Sequence, residues 1–167
     1  MIDVYNFCPR CGHALQTKHL FGSDRPWCPS CHYVVFRDPK LAVGALLVQD
    51  DQLLLVRRGV APRKNFWALP SGFVEYDEDA RAALAREIKE ETGIDASVGK
   101  ILEALPLRSP AKKGVFLLFL ARATGGSLQA GDDVTEARWF PLDAIPWPEI
   151  AFPEHLRQAL SQAGITK

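Results

Sequence analysis

No sign of charge prevails in this chain: its 167 residues carry twenty Lys and Arg against twenty Asp and Glu. No whole-molecule field draws in nucleic acid or an anionic membrane, so neither is an expected partner and any nucleotide must be gripped locally. Long apolar runs are missing too. Leu41 to Val48 and Val115 to Ala121, the longest, fall far short of the roughly 18 residues a spanning helix needs. The opening MIDVYNFCPR has neither a basic start followed by an apolar block nor a small-residue cleavage site, which makes a cytoplasmic location the expectation. There is no internal repeat and no low-complexity tract. With 47% hydrophobic and 24% charged residues, the composition is that of one globular domain with room for an appendage.

Cysteine is absent beyond residue 31, and that confinement is informative. The four fall in two pairs, Cys8-Pro-Arg-Cys11 and Cys28-Pro-Ser-Cys31, with sixteen residues between. A CxxC turn aims two thiolates at one point, and a tetrahedral zinc needs two such turns to close an all-sulfur shell. Gly12 after the first pair supplies the tight backbone. Two disulfides are the alternative, but a reducing cytoplasm disfavours them. His13 and His32 follow the pairs; with four thiolates at hand they read as surface or supporting groups. Four protein ligands leave no open coordination position, so this zinc is expected to be structural. Residues 1–36 are thus expected to form a small zinc ribbon, and residues 37–167, entered through Arg37-Asp38-Pro39-Lys40, a second domain that carries the chemistry.

In that second part, Leu41 to Val48 and Gln52 to Val56 flank a polar turn and predict a β-hairpin. Phe66 to Leu69, Val98 to Leu105, Val115 to Arg122 and Ala137 to Phe140 predict further strands. Thr124-Gly125-Gly126-Ser127 and Ala130-Gly131-Asp132-Asp133 predict loops. One helix is predicted from about Glu78 to Thr92, with Asp77 as N-cap and Gly93 as stop, and a second over Pro153 to Gln162 with proline at its first position. This order predicts an α+β sandwich, with helices packed on a curved mixed sheet.

On the first helix Ala80, Ala83, Leu84, Glu87, Ile88 and Glu91 share one stripe at 100° per residue, the pattern of a core-facing surface. Two of the six are glutamates and Glu90 flanks them, whereas Arg86 and Lys89 are expected to point away from the centre of the stripe. Like charges crowded on a buried face are costly unless something positive sits among them. Oxygen-only ligands suit a hard cation such as Mg²⁺ or Mn²⁺. The alternative is a solvated helix face on which the apolar stripe ends early.

Residues 72 to 94, GFVEYDEDARAALAREIKEETGI, resemble the Nudix box: Gly72, Glu78, Arg86, Glu87, Ile88, Glu90, Glu91, Gly93 and Ile94 each occupy a fixed position of that motif. The resemblance implies a Nudix-type α/β/α sandwich and a Mg²⁺- or Mn²⁺-dependent hydrolase of nucleoside diphosphates linked to another group. It further implies that Glu87 and Glu91 are metal ligands, that Glu90 is a further ligand or the base, that the Gly72 carbonyl reaches a metal, that Arg86 orients the glutamates and that Glu78 is a supporting charge. Glu136, in the segment before the Ala137 to Phe140 strand, resembles the position from which some Nudix enzymes supply a base; Glu75 is a lesser candidate. The ribbon ahead of the box resembles both NADH pyrophosphatases and a group acting on FAD or ADP-ribose. The Ser-Gln-Pro-Trp signature of the former is absent from Ile101 to Val115, and Trp67 to Gly72 with Ile145-Pro146-Trp147 and Ile150-Ala151-Phe152 resemble the latter. The expected activity is cleavage of ADP-ribose or FAD; an NADH or NAD-cap pyrophosphatase and a nucleotide-binding regulator without turnover are the alternatives. Arg58 is a candidate phosphate contact. Trp67, Phe73, Tyr33 and Phe116 are candidate ring-stacking residues, each competing with plain core packing. A homodimer is expected by analogy with the family.

Overall fold

The computed structural model describes residues 5–108 and 113–165. The chain folds as two compact units, Met1–Asp38 and Pro39–Lys167, two residues from the junction read in the sequence.

In the first unit, β1 (Gln16–Leu20) and β2 (Ser23–Trp27) form an antiparallel hairpin turned at Phe21 and Gly22, both at positive φ. The two cysteine turns flanking it are built alike. The Gly12 N–H donates to the Cys8 carbonyl and the His32 N–H to that of Cys28; the Cys8 and Cys28 N–H groups donate to the carbonyls of His13 and Tyr33. Gly12 and His32 therefore hold equivalent places, at φ 75° and 60°. The left-handed region suits the glycine, whereas His32 adopts it against the usual preference. Among the described residues of this unit only Val35, Cys8 and Cys28 are buried, which is too little apolar surface to hold so short a segment folded.

The second unit comprises β3 (Lys40–Gln49), β4 (Gln52–Arg58), β5 (Trp67–Ala68), β6 (Ser71–Phe73), α1 (Ala80–Thr92), β7 (Ile94–Arg108), β8 (Lys113–Gly126), β9 (Val134–Pro141) and α2 (Pro153–Gln162). β3 and β4 make the expected hairpin, yet they pair only at Val48–Leu53 and Gln49–Gln52. Beyond that the strands part. β3 takes β8 in parallel and β6 antiparallel; β4 takes β9 and β5 antiparallel; β8 takes β7. The result is a curved mixed sheet whose two faces are both covered. Val43, Ala45 and Leu47 of β3 pack with Ala83, Leu84 and Ile88 of α1. Leu46 joins Leu156, Ala159 and Leu160 of α2. Burial on both faces explains why β3 reads as an unbroken apolar run.

Three expectations need correction. The helix begins at Ala80, not Glu78: Asp79 rather than Asp77 is the cap, its carboxylate accepting from the N–H groups of Arg81 and Ala82. Glu78 lies outside the helix, paired with Arg86 at 2.7 Å. Thr124 to Gly126 continue β8 instead of forming a loop, because β7 starts directly after the helix and pairs with them through Ile94 and Asp95. The three-residue β6 was too short to register as a strand. Residues 109–112, where part of the Ile101 to Val115 stretch falls, lie outside the described residues. Among the described residues no helix is long and apolar enough to cross a membrane.

Candidate active site

The stripe on α1 is buried as its periodicity predicts: Ala83, Leu84, Ile88 and Glu91 all lie inside. Glu91 is only 4% exposed, which rules out a solvated face at that position. Its Oε2 accepts a hydrogen bond of 2.9 Å from the Ser71 N–H on β6. One turn earlier, the Glu87 carboxyl group stands against the backbone of Gly72. A Cβ at Gly72 would lie 1.9 Å from the Glu87 carboxyl carbon, so any other residue there would evict the carboxylate. Gly72 thus leaves the room in which the Glu87 carboxylate stands.

Arg86 does not point away from this group. Its Nη1 donates to Glu87 at 2.9 Å and to Glu90 at 2.8 Å, while Nε and Nη2 donate to Glu78 at 2.7 and 2.8 Å. Nη2 also reaches the Phe73 carbonyl. The long side chain bends toward three carboxylates because each attracts it, and its planar fork serves several at once. Held by Arg86 and by the Glu75 N–H, Glu78 drops to about 2, well below the ordinary carboxylate range. Glu75 itself is exposed.

Glu91 and Glu87 go the other way. Desolvation raises Glu91 well above its ordinary value, and the charges of Glu87 and Asp133 add to it, against the Ser71 N–H and Arg58. Burial likewise raises Glu87, opposed by Arg86 and reinforced by Glu90 and Asp132. Asp132 and Asp133 were read only as loop residues. Their loop docks on the end of α1: Gln129 N–H donates to Thr92 O, Gly131 N–H to Glu91 O and Gly59 N–H to Asp133 O. A side chain at residue 131 would strike the Glu90 carbonyl, so Gly131 permits the approach. The Gly-Asp-Asp run was the available signal, but its docking on the helix end leaves no trace in periodicity.

Glu136 lies within β9 rather than in a loop before it, opposite Arg57. Its carboxylate is engaged by Arg57 at 3.6 Å and by Arg138. Alternation along β9 puts it on the face of Phe140, whereas Trp139 faces the α1 side. The structure therefore brings Glu136 to two arginines. Arg58 does join the site electrostatically through Glu91; its Nε donates to the Pro62 carbonyl at 2.8 Å and its guanidinium lies over the Phe152 ring. Trp67 is buried edge-to-face on Phe140, and Phe116 fills the space left by Gly44 and stacks on His155. Phe73 is half-buried; Tyr33, in the first unit, lies under Arg10.

In the first unit the four sulfurs gather within 4.8 Å of one another, with Cys8–Cys31, Cys11–Cys28 and Cys11–Cys31 separations of 3.6, 3.5 and 3.4 Å. All four are free thiols. A tetrahedron with metal–sulfur bonds of about 2.3 Å has edges of about 3.8 Å, close to these spacings. Among the described residues this is the one set of three or more donors drawn so close; the helix glutamates stand more open. The Cys31 and Ser30 N–H groups overcome desolvation and pull Cys28 down to about 6. At Cys11 the His13 N–H favours the thiolate, but Cys31, desolvation and the other sulfurs outweigh it and push the thiol up to about 12. A cation at the centre of the four sulfurs would favour the thiolate form. His13 and His32 stay outside the cluster.

Residues 38–161 match the NUDIX domain family along their length. The chain belongs to the Nudix family. An ADP-ribose pyrophosphatase of Methanocaldococcus jannaschii is 39% identical over 116 residues, 68% of this chain and 69% of that protein. The NAD-capped RNA hydrolase NudC of Vibrio atlanticus is 28% identical over 149 residues, 87% of this chain; the chain spans about half that relative's length, 53%. A Nudix hydrolase structure from Nitrosomonas europaea superposes with a TM-score of 0.83 at 29% identity, covering 95% of this chain and 91% of the other.

The raised carboxyls of the Nudix helix make stability depend on pH. A folded-state value above the unfolded one means that the folded protein holds the proton more tightly, so stability is fully present below the unfolded value and falls as pH rises through the folded value. In chelator-treated protein, Glu91→Gln removes this loss. Its melting temperature should exceed that of the unmodified chain at about pH 8, and the difference should shrink toward zero near pH 4.5. An equal difference at both pH values would mean that Glu91 is not buried as a charge.

Proposed function

We propose that the chain hydrolyses the diphosphate bridge of a nucleoside diphosphate-linked compound, with ADP-ribose or FAD as the favoured substrates, in the presence of Mg²⁺ or Mn²⁺. The observation that carries this reading is the burial of Glu91 beside Glu87, two acids kept at a packed helix face where, among the described residues, no single Lys or Arg pairs with both. The donor set fits a hard divalent ion: carboxylate oxygens from Glu87, Glu91 and Glu90, the Gly72 carbonyl, and an arrangement open enough for the ion to retain waters and reach phosphate oxygens. When bound, such ions neutralise charge on the diphosphate and ease proton loss from the attacking water.

The chain's own groups do the rest. Gly72 leaves the space in which Glu87 stands, and Ser71 fixes one oxygen of Glu91. Arg86, anchored on Glu78, sets the angle of Glu87 and Glu90. Arg58 neutralises part of the acid charge and supplies a planar fork for phosphate oxygens. Two side chains compete to take the proton from water: half-exposed Glu90, and Glu136, which must first leave Arg57 and Arg138. Asp132 and Asp133 add negative charge and so strengthen the pull on a cation. In the first unit Cys8, Cys11, Cys28 and Cys31 hold one zinc as a structural staple. A second reading, hydrolysis of an NAD-type cap or NADH, draws support from the NudC relatives, whose similarity extends over 87% of the chain.

A panel of ADP-ribose, FAD, NADH and capped RNA, assayed for AMP release with Mg²⁺, distinguishes these readings. ADP-ribose or FAD should be cleaved with the highest kcat/KM. Glu91→Gln and Gly72→Ala should each lose more than the roughly 100-fold that removing an outer-shell partner costs. Gly125→Ala, where a Cβ meets only ordinary contact, should leave activity unchanged. Preference for NADH or capped RNA would favour the second reading; tight ADP-ribose binding with no product would favour a regulator. Elemental analysis of protein purified without added metal should find about one zinc per chain, and four oxidised cysteines would contradict the staple.

A further inference from the structure

We propose that one face of the β1–β2 hairpin is a docking surface for single-stranded nucleic acid. The cross-strand register sets Lys18 directly opposite Arg25, an arrangement in which like charges repel. Among the described residues neither cation has a carboxylate partner. The hairpin's single acid, Asp24, is opposite His19 on the other face and bonds its ring nitrogen at 2.9 Å. Lys18 and Arg25 lie over aromatic rings instead. Lys18 Nζ is 4.3 Å from the centre of Trp27, and the Arg25 guanidinium is 4.7 Å from that of Phe36. Phe36 in turn stacks on Phe21, and Trp27 on His32. Phe21 is 74% exposed and Phe36 51%, unusual for phenylalanines in a unit with so little core.

Exposed rings alone would suit an apolar protein partner. Two unneutralised cations interleaved with them fit a polyanion that also carries flat faces, namely phosphodiesters with unpaired bases. The neutral charge of the whole chain removes long-range steering but leaves this local patch intact. The surface lies within the cysteine-bearing unit and makes no use of the Nudix helix, so it stands or falls independently of the hydrolase reading.

The test is fluorescence anisotropy of a labelled oligouridine titrated with the full-length, zinc-containing protein in the absence of Mg²⁺. Two phosphate contacts on a single strand give a salt slope of about −1.4, or about sevenfold weaker binding at 200 than at 50 mM salt. Lys18→Gln combined with Arg25→Gln should flatten that slope and weaken binding at least about tenfold. Phe21→Ala should weaken it by about fivefold or more. Each variant should retain its zinc and its thermal transition, and Glu91→Gln should bind as tightly as the unmodified chain. The proposal is overturned by no binding at about 1 mM protein, by binding that the hairpin variants leave unchanged, or by tighter binding of polyglutamate or phosphatidylserine vesicles than of oligouridine.

Discussion

A carboxylate at the packed face of a helix is a standing electrostatic cost, and the architecture of the second unit is arranged around one. Glu91 sits where the 3.6-residue period demands an apolar side chain, one turn beyond Ile88, with Glu87 beside it. What makes the position tenable is local backbone: an N–H from Ser71 and the missing side chain of Gly72, both on a strand of three residues. That strand exists because β3 needs an antiparallel neighbour on the side away from β8. Sheet pairing, helix packing and acid placement are therefore one constraint. Moving β6 by a single residue would set a side chain where the Glu87 carboxyl now stands.

The two units answer similar problems by different chemistry. In the first, four thiols clustered within bonding distance of a common centre take the place that a hydrophobic core would fill, with Val35 the only other buried side chain among the described residues of that unit. In the second, a large two-sided core is already present, and it supports a polar cluster whose inward-facing acids, Glu87 and Glu91, are costly to bury. Arg86 is the device that keeps the second cluster ordered. By bonding Glu78, Glu87 and Glu90 together it fixes the carboxylates before any cation arrives, which lowers the reorganisation needed on binding.

Much of this was legible in the residues. The cysteine spacing announced a four-sulfur cluster, the helical stripe announced inward-facing acids, and the proline at the start of α2 marked its first turn. The failures were of other kinds. Asp77 and Asp79 are equivalent as caps in composition; Asp79 is the one that caps, and Glu78 between them pairs with Arg86, a tertiary contact that no local pattern encodes. Angular position set Arg86 away from the centre of the stripe, which ignores how far a guanidinium can bend; only the resemblance to the motif pointed it at the glutamates. Asp132 and Asp133 reached the site through a loop docked on a helix end, and Glu136 was drawn into a strand by pairing with Arg57. The Gly125–Gly126 pair read as a loop because glycine usually weakens a strand, yet at Gly126 close backbone approach to Gly93 and Asp95 demands it.

Burial raises the inward-facing acids of α1 above the ordinary carboxylate range, so a divalent cation docking among them should displace protons. Calorimetric titration of Mn²⁺ into the metal-free hydrolase at pH 6, repeated in two buffers of different ionisation enthalpy, measures uptake and proton release together. The account predicts saturable binding with protons released, and loss of that release in Glu91→Gln. Binding without proton release, or no binding at all, would contradict it.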